Sequence, residues 1–142
     1  MAEDEPIDNR RDGAPFFLPP SLSIAFDDID GQHRSLIDII NRAAAAPTQL
    51  HAHLVELDAS LASHFAHEEE VMREQGYPHL AEHKTHHAHI LQRVQQITNG
   101  LRASADGARD GLNNIFTSLI DDILRADLPF KTFLQGKGLV DS

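Results

Sequence analysis

Residues 57–72 read LDASLASHFAHEEEVM, and this segment is the most informative one in the chain. Its leucine and phenylalanine residues recur every four positions, the spacing that places side chains on one face of an α-helix. His64 and Glu68 also stand four residues apart, which puts them about 40° apart around the helix axis on that same face. A glutamate buried in an apolar face is unfavourable unless a cation neutralises it. The segment therefore predicts a core-facing helix that carries metal ligands.

The whole chain has 142 residues, of which 41% are hydrophobic, values that suit one domain with one core. No apolar run is long enough to cross a bilayer, and the acidic N-terminus lacks the basic and then apolar pattern of a secretory signal. These features predict a cytoplasmic protein with no membrane partner. The formal net charge of −10 argues against a nucleic-acid partner as well.

The chain contains no cysteine, which excludes disulfide scaffolds, thiolate zinc sites and cysteine-ligated iron–sulfur clusters. Any metal must therefore be held by nitrogen and oxygen atoms. Histidine is the residue type that stands out, because nine of the ten histidines fall between His51 and His89. This uneven distribution indicates a site in the middle of the chain.

The predicted fold class is all-α, an antiparallel four-helix bundle preceded by an N-terminal arm. Residues 1–20 are rich in proline and charge and predict an arm that is partly disordered, above all in its first ten residues, whereas residues 21–142 predict the bundle. Pro129 is expected to break or kink the fourth helix, with a short apolar tail beyond it. Hydrophobic periodicity, glycine and proline place the four helices at about residues 31–45, 48–75, 78–101 and 108–126.

All four predicted helices offer inward-facing nitrogen or oxygen donors. His83 and His87 repeat the four-residue step, and His33 lies on the apolar side of the first helix. The donors are too many for one tetrahedral zinc ion but suit two ions that share carboxylates. Imidazole and carboxylate without thiolate favour iron or manganese, with zinc as a competitor. The candidate metal ligands are His33, His64, Glu68, His83, His87, Asp122 and Asp127.

The remaining histidines are interpreted as surface or structural residues, since a single histidine at helical spacing is weak evidence for a ligand. They are His51, His53, His67, His79, His86 and His89. Several enzyme classes lack their signatures here. A His-Glu-x-x-His zinc protease motif, the Glu-x-x-His pair of ferritin-like proteins, a phosphate-binding glycine loop and a nucleophile elbow are all absent from the sequence.

Four segments resemble the motifs of hemerythrins and bacterial hemerythrin-like proteins, in the same order and at the same spacing. The resemblance covers roughly residues 22–130. The segments are residues 29–33 (IDGQH), 64–72 (HFAHEEEVM), 77–87 (YPHLAEHKTHH) and 123–127 (ILRAD).

This resemblance implies two non-haem iron ions, Fe2+ or Fe3+, joined by a bridging oxo or hydroxo group, in the core of a four-helix bundle. It assigns His33 and His64 to one ion and His83 and His87 to the other. By the same resemblance, one glutamate and one aspartate bridge the two ions. The bridging pair is Glu68 and Asp127.

Asp122 is the departure from the family pattern, because the family has a further histidine ligand at this position. An anionic oxygen ligand in place of neutral imidazole favours the ferric state and moves the centre toward oxidation chemistry. Asp122 also stands five residues before Asp127, which corresponds to a rotation of about 140° around a helix. The two side chains reach one site only if they approach from different sides, or if the helix bulges or ends between them.

Three functions remain open at this point. The first is a non-haem di-iron protein, not an enzyme, that binds dioxygen reversibly as a carrier, store or sensor. The second is an oxidase or peroxidase-like protein that consumes dioxygen or peroxide and autoxidises rapidly because of Asp122. The third is a non-catalytic metal-binding protein in which Asp122 is not a ligand.

Overall fold

The computed structural model describes residues 15–24 and 26–139, and this part of the chain is a helical bundle. Helices α1 and α3 each pack against both α2 and α4, so the four helices close a ring. The connections between them are only a few residues long, which makes consecutive helices antiparallel. The predicted all-α four-helix bundle is confirmed. The four helices are α1 (Asp27–Ala45), α2 (Leu50–Glu74), α3 (Leu80–Ala103) and α4 (Ala108–Asp122).

The turn between α2 and α3 is set by Gly76. Its φ of 68° lies in the left-handed region, which costs a glycine little. The Gly76 N–H donates to Arg73 O at 3.1 Å, and the Tyr77 N–H donates to Met72 O at 2.9 Å. This pair of hydrogen bonds is the Schellman arrangement, which satisfies the last carbonyls of a helix. It also buries Tyr77 against Met72, at the end of the bundle.

The helical path extends beyond α4, where the sequence predicted an end near residue 126 and a break or kink at Pro129. A π-helical turn (Ile123–Asp127) leads directly into a fifth helix, α5 (Leu128–Gly136). The Leu128 N–H donates to Ile123 O, five residues back. Pro129 lies in the first turn of α5, where the fixed φ of proline fits the helical backbone. The apolar tail is therefore helical, and the departure from α-helical geometry lies before the proline.

Helix α1 also begins earlier than predicted, at Asp27 instead of about residue 31. Its first turn carries Asp27, Asp28 and Asp30, and negative charge there interacts favourably with the helix dipole. Asp30 is buried and accepts hydrogen bonds from Ile24 N at 2.9 Å and Ser23 Oγ at 2.7 Å. The segment before α1 is thereby fixed to the helix start.

Apolar side chains form two clusters, one in the middle of the bundle and one at the end where α5 packs. The first, here called the bundle core, includes Leu36, Leu57, Phe65, Ile90 and Leu119. The second, here called the end cluster, consists of Ile24, Ile29, Val71, Met72, Tyr77, Phe130 and Leu134. The candidate ligands on every helix fall in sequence between residues of the two clusters. The candidate site is therefore covered by apolar packing on both sides.

Among the described residues 15–19, Phe16 is the one that is buried in the core. The Phe16 N–H donates to Asn41 Oδ1 at 2.6 Å, and Asn41 Nδ2 donates to Phe16 O at 3.0 Å. The Phe16 ring lies 5.2 Å from that of Phe116, with the Arg109 guanidinium 4.3 Å from its centroid. The division into residues 1–20 and 21–142 stays a prediction, and the disorder expected for the first ten residues lies outside the described residues.

None of the described helices combines the length and the apolar character that crossing a bilayer requires.

The bundle core generates a prediction about stability. Leu57→Ala should lower the free energy of unfolding by about 2–5 kcal/mol, because it leaves a cavity among fully buried side chains. The matched control is Val55→Ala on the same helix, where the side chain is 49% exposed and the expected change is within about 0.5 kcal/mol. Urea titration of the metal-free proteins measures both values. Equal effects of the two substitutions would contradict the described packing of α2.

Candidate metal centre

Within residues 15–24 and 26–139, two groups of buried side chains have the spacing of metal ligands. One group contains His33 and His64, and the other contains His83 and His87. Glu68 and Asp127 belong to both groups. In each group of four, the ligand atoms all lie within 4.8 Å of one another. Two groups that share two carboxylates have the arrangement needed for two neighbouring ions.

Glu68 is completely buried and presents a different oxygen to each histidine pair. Its Oε1 lies 2.7 Å from His83 Nε2 and 3.0 Å from His87 Nε2. Its Oε2 lies 3.6 Å from His64 Nε2 and 4.0 Å from His33 Nε2. The carboxylate thus spans the space between α1 and α3, as a bridging ligand would.

Asp127, which follows α4, also presents a different oxygen to each histidine pair. Its Oδ2 lies 3.0 Å from His33 Nε2, and its Oδ1 lies 3.4 Å from His83 Nε2. Asp127 is also completely buried. The π-helical turn is what brings it here, because hydrogen bonds between residues five apart allow Asp122 and Asp127 to face one side. The sequence left open whether the two side chains approach from different sides or the helix bulges or ends between them, and the structure has a bulge.

Several atoms in this cluster are buried without a hydrogen-bond partner. They include His64 Nε2, Glu68 Oε2, both oxygens of Asp127 and both ring nitrogens of His33. The 3.0 Å contact between His33 and Asp127 lacks the alignment of a hydrogen bond. Buried polar atoms without partners are rare and costly, and two buried carboxylates side by side repel each other. Cations between the histidine pairs would remove both costs, so the residues present fit a pair of metal ions.

Two further side chains fix the orientation of the imidazoles. His64 Nδ1 lies 2.7 Å from Gln32 Oε1, and His87 Nδ1 lies 2.7 Å from Glu69 Oε2. Amide and carboxylate oxygens accept hydrogen bonds, so Nδ1 carries the proton and donates in both cases. The lone pair on Nε2 then points into the cluster, which is the arrangement that supports histidine as a ligand.

Sequence reasoning did not select Gln32 or Glu69, although both lie within the motifs quoted above. Gln32 directly precedes His33, and Glu69 directly follows Glu68. Each supports a histidine on a neighbouring helix. The signal that could have identified them is their position beside a ligand, combined with the expectation that buried ligand histidines need acceptors.

Burial also sets the protonation of the cluster. It lowers the pKa of His64 from 6.5 to about 3 and that of His87 to about 2, with a further lowering from the neighbouring His33 and His83, respectively. Burial, together with the adjacent Asp127, raises the pKa of Glu68 well above its usual value. The neutral imidazoles keep a lone pair for a cation, and a cation that binds Glu68 would displace the proton of its carboxyl group.

The pKa of Asp127 shifts in the opposite direction. Burial alone would raise it, but the close imidazole nitrogens of His33 and His83 outweigh burial and hold the pKa below its usual value.

Asp122 is buried near the cluster but is outside both groups of four. Its Oδ1 lies 3.8 Å from His87 Nε2. Burial and the nearby Asp127 raise its pKa to about 6. With His33 and His64, Asp122 lines a small cavity of about 10 Å3, whose other walls are apolar. This volume is close to the minimum that holds one water molecule, so only a very small ligand fits beside the histidines.

The structure also brings His86 to this part of the site, although the sequence analysis placed it among the surface and structural histidines. Its Nε2 lies 3.2 Å from Asp122 Oδ1. The other five histidines of that set belong to neither group of four among the described residues. His51, His79 and His89 are exposed, while His53 and His67 are partly buried.

Comparison with known proteins identifies relatives of the chain. A family model described as the hemerythrin HHE cation binding domain matches residues 25–131. A bacteriohemerythrin of Stenotrophomonas maltophilia is 34% identical over an alignment of 111 positions, which covers 75% of this chain and 72% of the relative. A myohemerythrin of Riftia pachyptila is 26% identical over 85 residues, 60% of this chain and 70% of the relative.

A bacteriohemerythrin of Campylobacter jejuni is 32% identical over an alignment of 82 positions, which covers 54% of this chain and 62% of the relative. No solved structure gives a significant match. The family match covers most of the chain and includes every candidate ligand. The chain therefore belongs to the hemerythrin family.

Proposed function

We propose that this protein holds two non-haem iron ions and that the resulting di-iron centre binds dioxygen, as a carrier, store or sensor. The observation that carries the proposal is the sharing of Glu68 and Asp127 between two histidine pairs, with one oxygen of Glu68 facing each pair. His33 and His64 would hold one ion, and His83 and His87 the other. Membership of the hemerythrin family supports iron over manganese and zinc.

The walls of the site favour a very small ligand. Phe65, Leu119 and Ile123 line the cavity beside His33 and His64, and the cavity volume is about 10 Å3. Pockets that hold organic substrates are far larger, roughly 300–1,000 Å3. This supports dioxygen or peroxide as the ligand and argues against oxidation of an organic molecule inside the bundle. Two ferrous ions held by these residues would supply two electrons to such a ligand.

The protein's own residues provide the environment for that chemistry. Gln32 and Glu69 hold the imidazoles of His64 and His87 in place, so little rearrangement accompanies binding. The apolar clusters on both sides exclude bulk water, which strengthens the electrostatic effect of each charged ligand. Asp122 is the one acidic side chain that lines the cavity and belongs to neither group.

Asp122 also supports a second candidate function, consumption of dioxygen or peroxide. A carboxylate near His87 adds negative charge where the family has a neutral imidazole, and this stabilises ferric over ferrous iron. The third candidate, a non-catalytic metal-binding protein, is supported by the position of Asp122 outside both groups of four. The three candidate functions differ in the expected metal content and in whether dioxygen binding is reversible.

The experiment that separates them starts with anaerobic loading of the protein with ferrous iron. We expect about two iron ions per chain by elemental analysis, since two groups of ligands share two carboxylates. The absorption spectrum is then followed on adding dioxygen and on removing it. A change that reverses supports the carrier, store or sensor, and an irreversible change with turnover of peroxide supports the second candidate. Binding of one ion, or a preference for zinc, would support the third.

Glu68→Gln tests the shared carboxylate. The substitution keeps the size of the side chain but removes the charge that both ions would share, so iron content should fall from about two ions per chain to less than about one. The control is Glu70→Gln on the same helix, where the side chain is 52% exposed and pairs with Arg73. Elemental analysis after desalting measures both. Full iron retention by Glu68→Gln would contradict the proposed centre.

Asp122→His tests the departure from the family. Replacing the carboxylate with neutral imidazole should slow autoxidation of the ferrous protein about tenfold, which corresponds to roughly 1.4 kcal/mol in the barrier. The measurement is the rate of ferric absorption increase in air-saturated buffer. Asp121→His is the control, because Asp121 is 38% exposed and pairs with Arg125. An unchanged rate in Asp122→His would mean that Asp122 does not control the redox chemistry.

A further inference from the structure

His86 and Asp122 form a contact that connects α3 to the end of α4. The His86 side chain is 27% exposed and that of Asp122 only 3%, and Nε2 of the first lies 3.2 Å from Oδ1 of the second. Both atoms are buried, and neither has another hydrogen-bond partner among the described residues. A small rotation of either side chain completes a hydrogen bond between them, with Nε2–H as the donor.

Asp122 needs such a contact if it is to act in place of a histidine. Its side chain is shorter than an imidazole, and it stands at the margin of the site, 3.8 Å from His87 Nε2 but outside the group of four. Ligand atoms of one octahedral ion with bonds of about 2.1 Å lie roughly 3 to 4.2 Å apart. The distance from Oδ1 to His87 Nε2 therefore suits two ligands of one ion, but Oδ1 is not close to the other ligand atoms of that group.

A carboxylate oxygen has two lone pairs, so one oxygen can accept a hydrogen bond and still face a cation. We propose that His86 is a positioning residue that donates Nε2–H to Asp122 and holds its carboxylate toward the ion of His83 and His87. The His86–Asp122 pair then takes the place of the histidine that the family has at position 122. This inference rests on the proposed di-iron centre.

The His86–Asp122 pair lies between the small inner cavity and an outer cleft, and this position supports the assignment. Asp122 lines the small inner cavity beside His33 and His64. His86 lines an open cleft of about 320 Å3 on the outer side, together with His83. Asp122 is thus held between the cluster on one side and His86 on the other, and His86 is the group that keeps water in the cleft from competing for Oδ1.

Because His86 separates the cleft from the site, it could also act simply by filling space, and the two roles need different variants. His86→Leu keeps the bulk and removes the donor. His86→Gln keeps a donor, and His86→Ala removes both bulk and donor. His89→Leu, an exposed histidine on the same helix, controls for loss of a surface imidazole.

The test loads each metal-free variant with Co2+ and follows both the visible absorption spectrum and the rate of metal loss to a chelator. We expect His86→Leu to alter the spectrum and to speed the loss of one of the two ions about 10–100-fold, the usual effect of removing such a supporting group. His86→Gln should restore both toward the wild type. In an Asp122→Ala background, His86→Leu should have no further effect, because its target is gone.

Other outcomes would overturn the inference. If His86→Leu behaves like the wild type and only His86→Ala speeds metal loss, His86 fills space and does not position Asp122. If His86→Leu lowers the melting temperature of the metal-free protein and leaves the Co2+ spectrum unchanged, its role is structural. If the wild type does not take up two ions, the proposed function itself fails, whatever the variants do.

Discussion

The structure depends on one electrostatic constraint, the burial of Glu68 and Asp127 in contact with the same imidazoles. Both carboxylates are completely buried, and the charge of Asp127 makes ionisation of Glu68 harder. Histidine nitrogens alone leave several of their oxygens without partners. Positive charge is what makes the arrangement favourable, and the proposed pair of metal ions supplies it from the position that both carboxylates face. Binding of the proposed ions would therefore be coupled to folding of the bundle.

The architecture places this costly cluster where two apolar regions cover it. The bundle core lies on one side along every helix and the end cluster on the other. The π-helical turn also helps to form the cluster, because a regular α-helix would turn Asp127 about 140° away from Asp122. The extra residue disturbs the regular hydrogen bonds of the helix. Pro129 in the next turn has no backbone N–H, so it adds no donor that needs a partner there.

Local spacing was sufficient to predict most of the fold and which of the polar side chains point into the bundle. The four-residue steps from His64 to Glu68 and from His83 to His87 stay on one helix face whatever the helix packs against. The continuation into α5 was missed because proline usually ends a helix, and only tertiary packing of Phe130 and Leu134 on the end cluster favours the helical path.

His86 was missed for a related reason. It points about 100° away from His87 around the axis, but α3 also packs against α4, so this direction leads to Asp122.

The substitution at position 122 has consequences for the whole site because it changes charge and reach together. An aspartate lowers the net charge by one relative to a neutral imidazole. Burial and Asp127 raise its pKa to about 6, a value that already includes the opposing support of His86 for the ionised form. His86 offers that support from α3, with a donor that compensates part of the added charge and a fixed point that compensates for the shorter side chain. A neutral ligand of full length would need neither. In the proposed centre, an imidazole ligand is replaced by a carboxylate that a second imidazole supports from α3. The added negative charge would favour ferric over ferrous iron there.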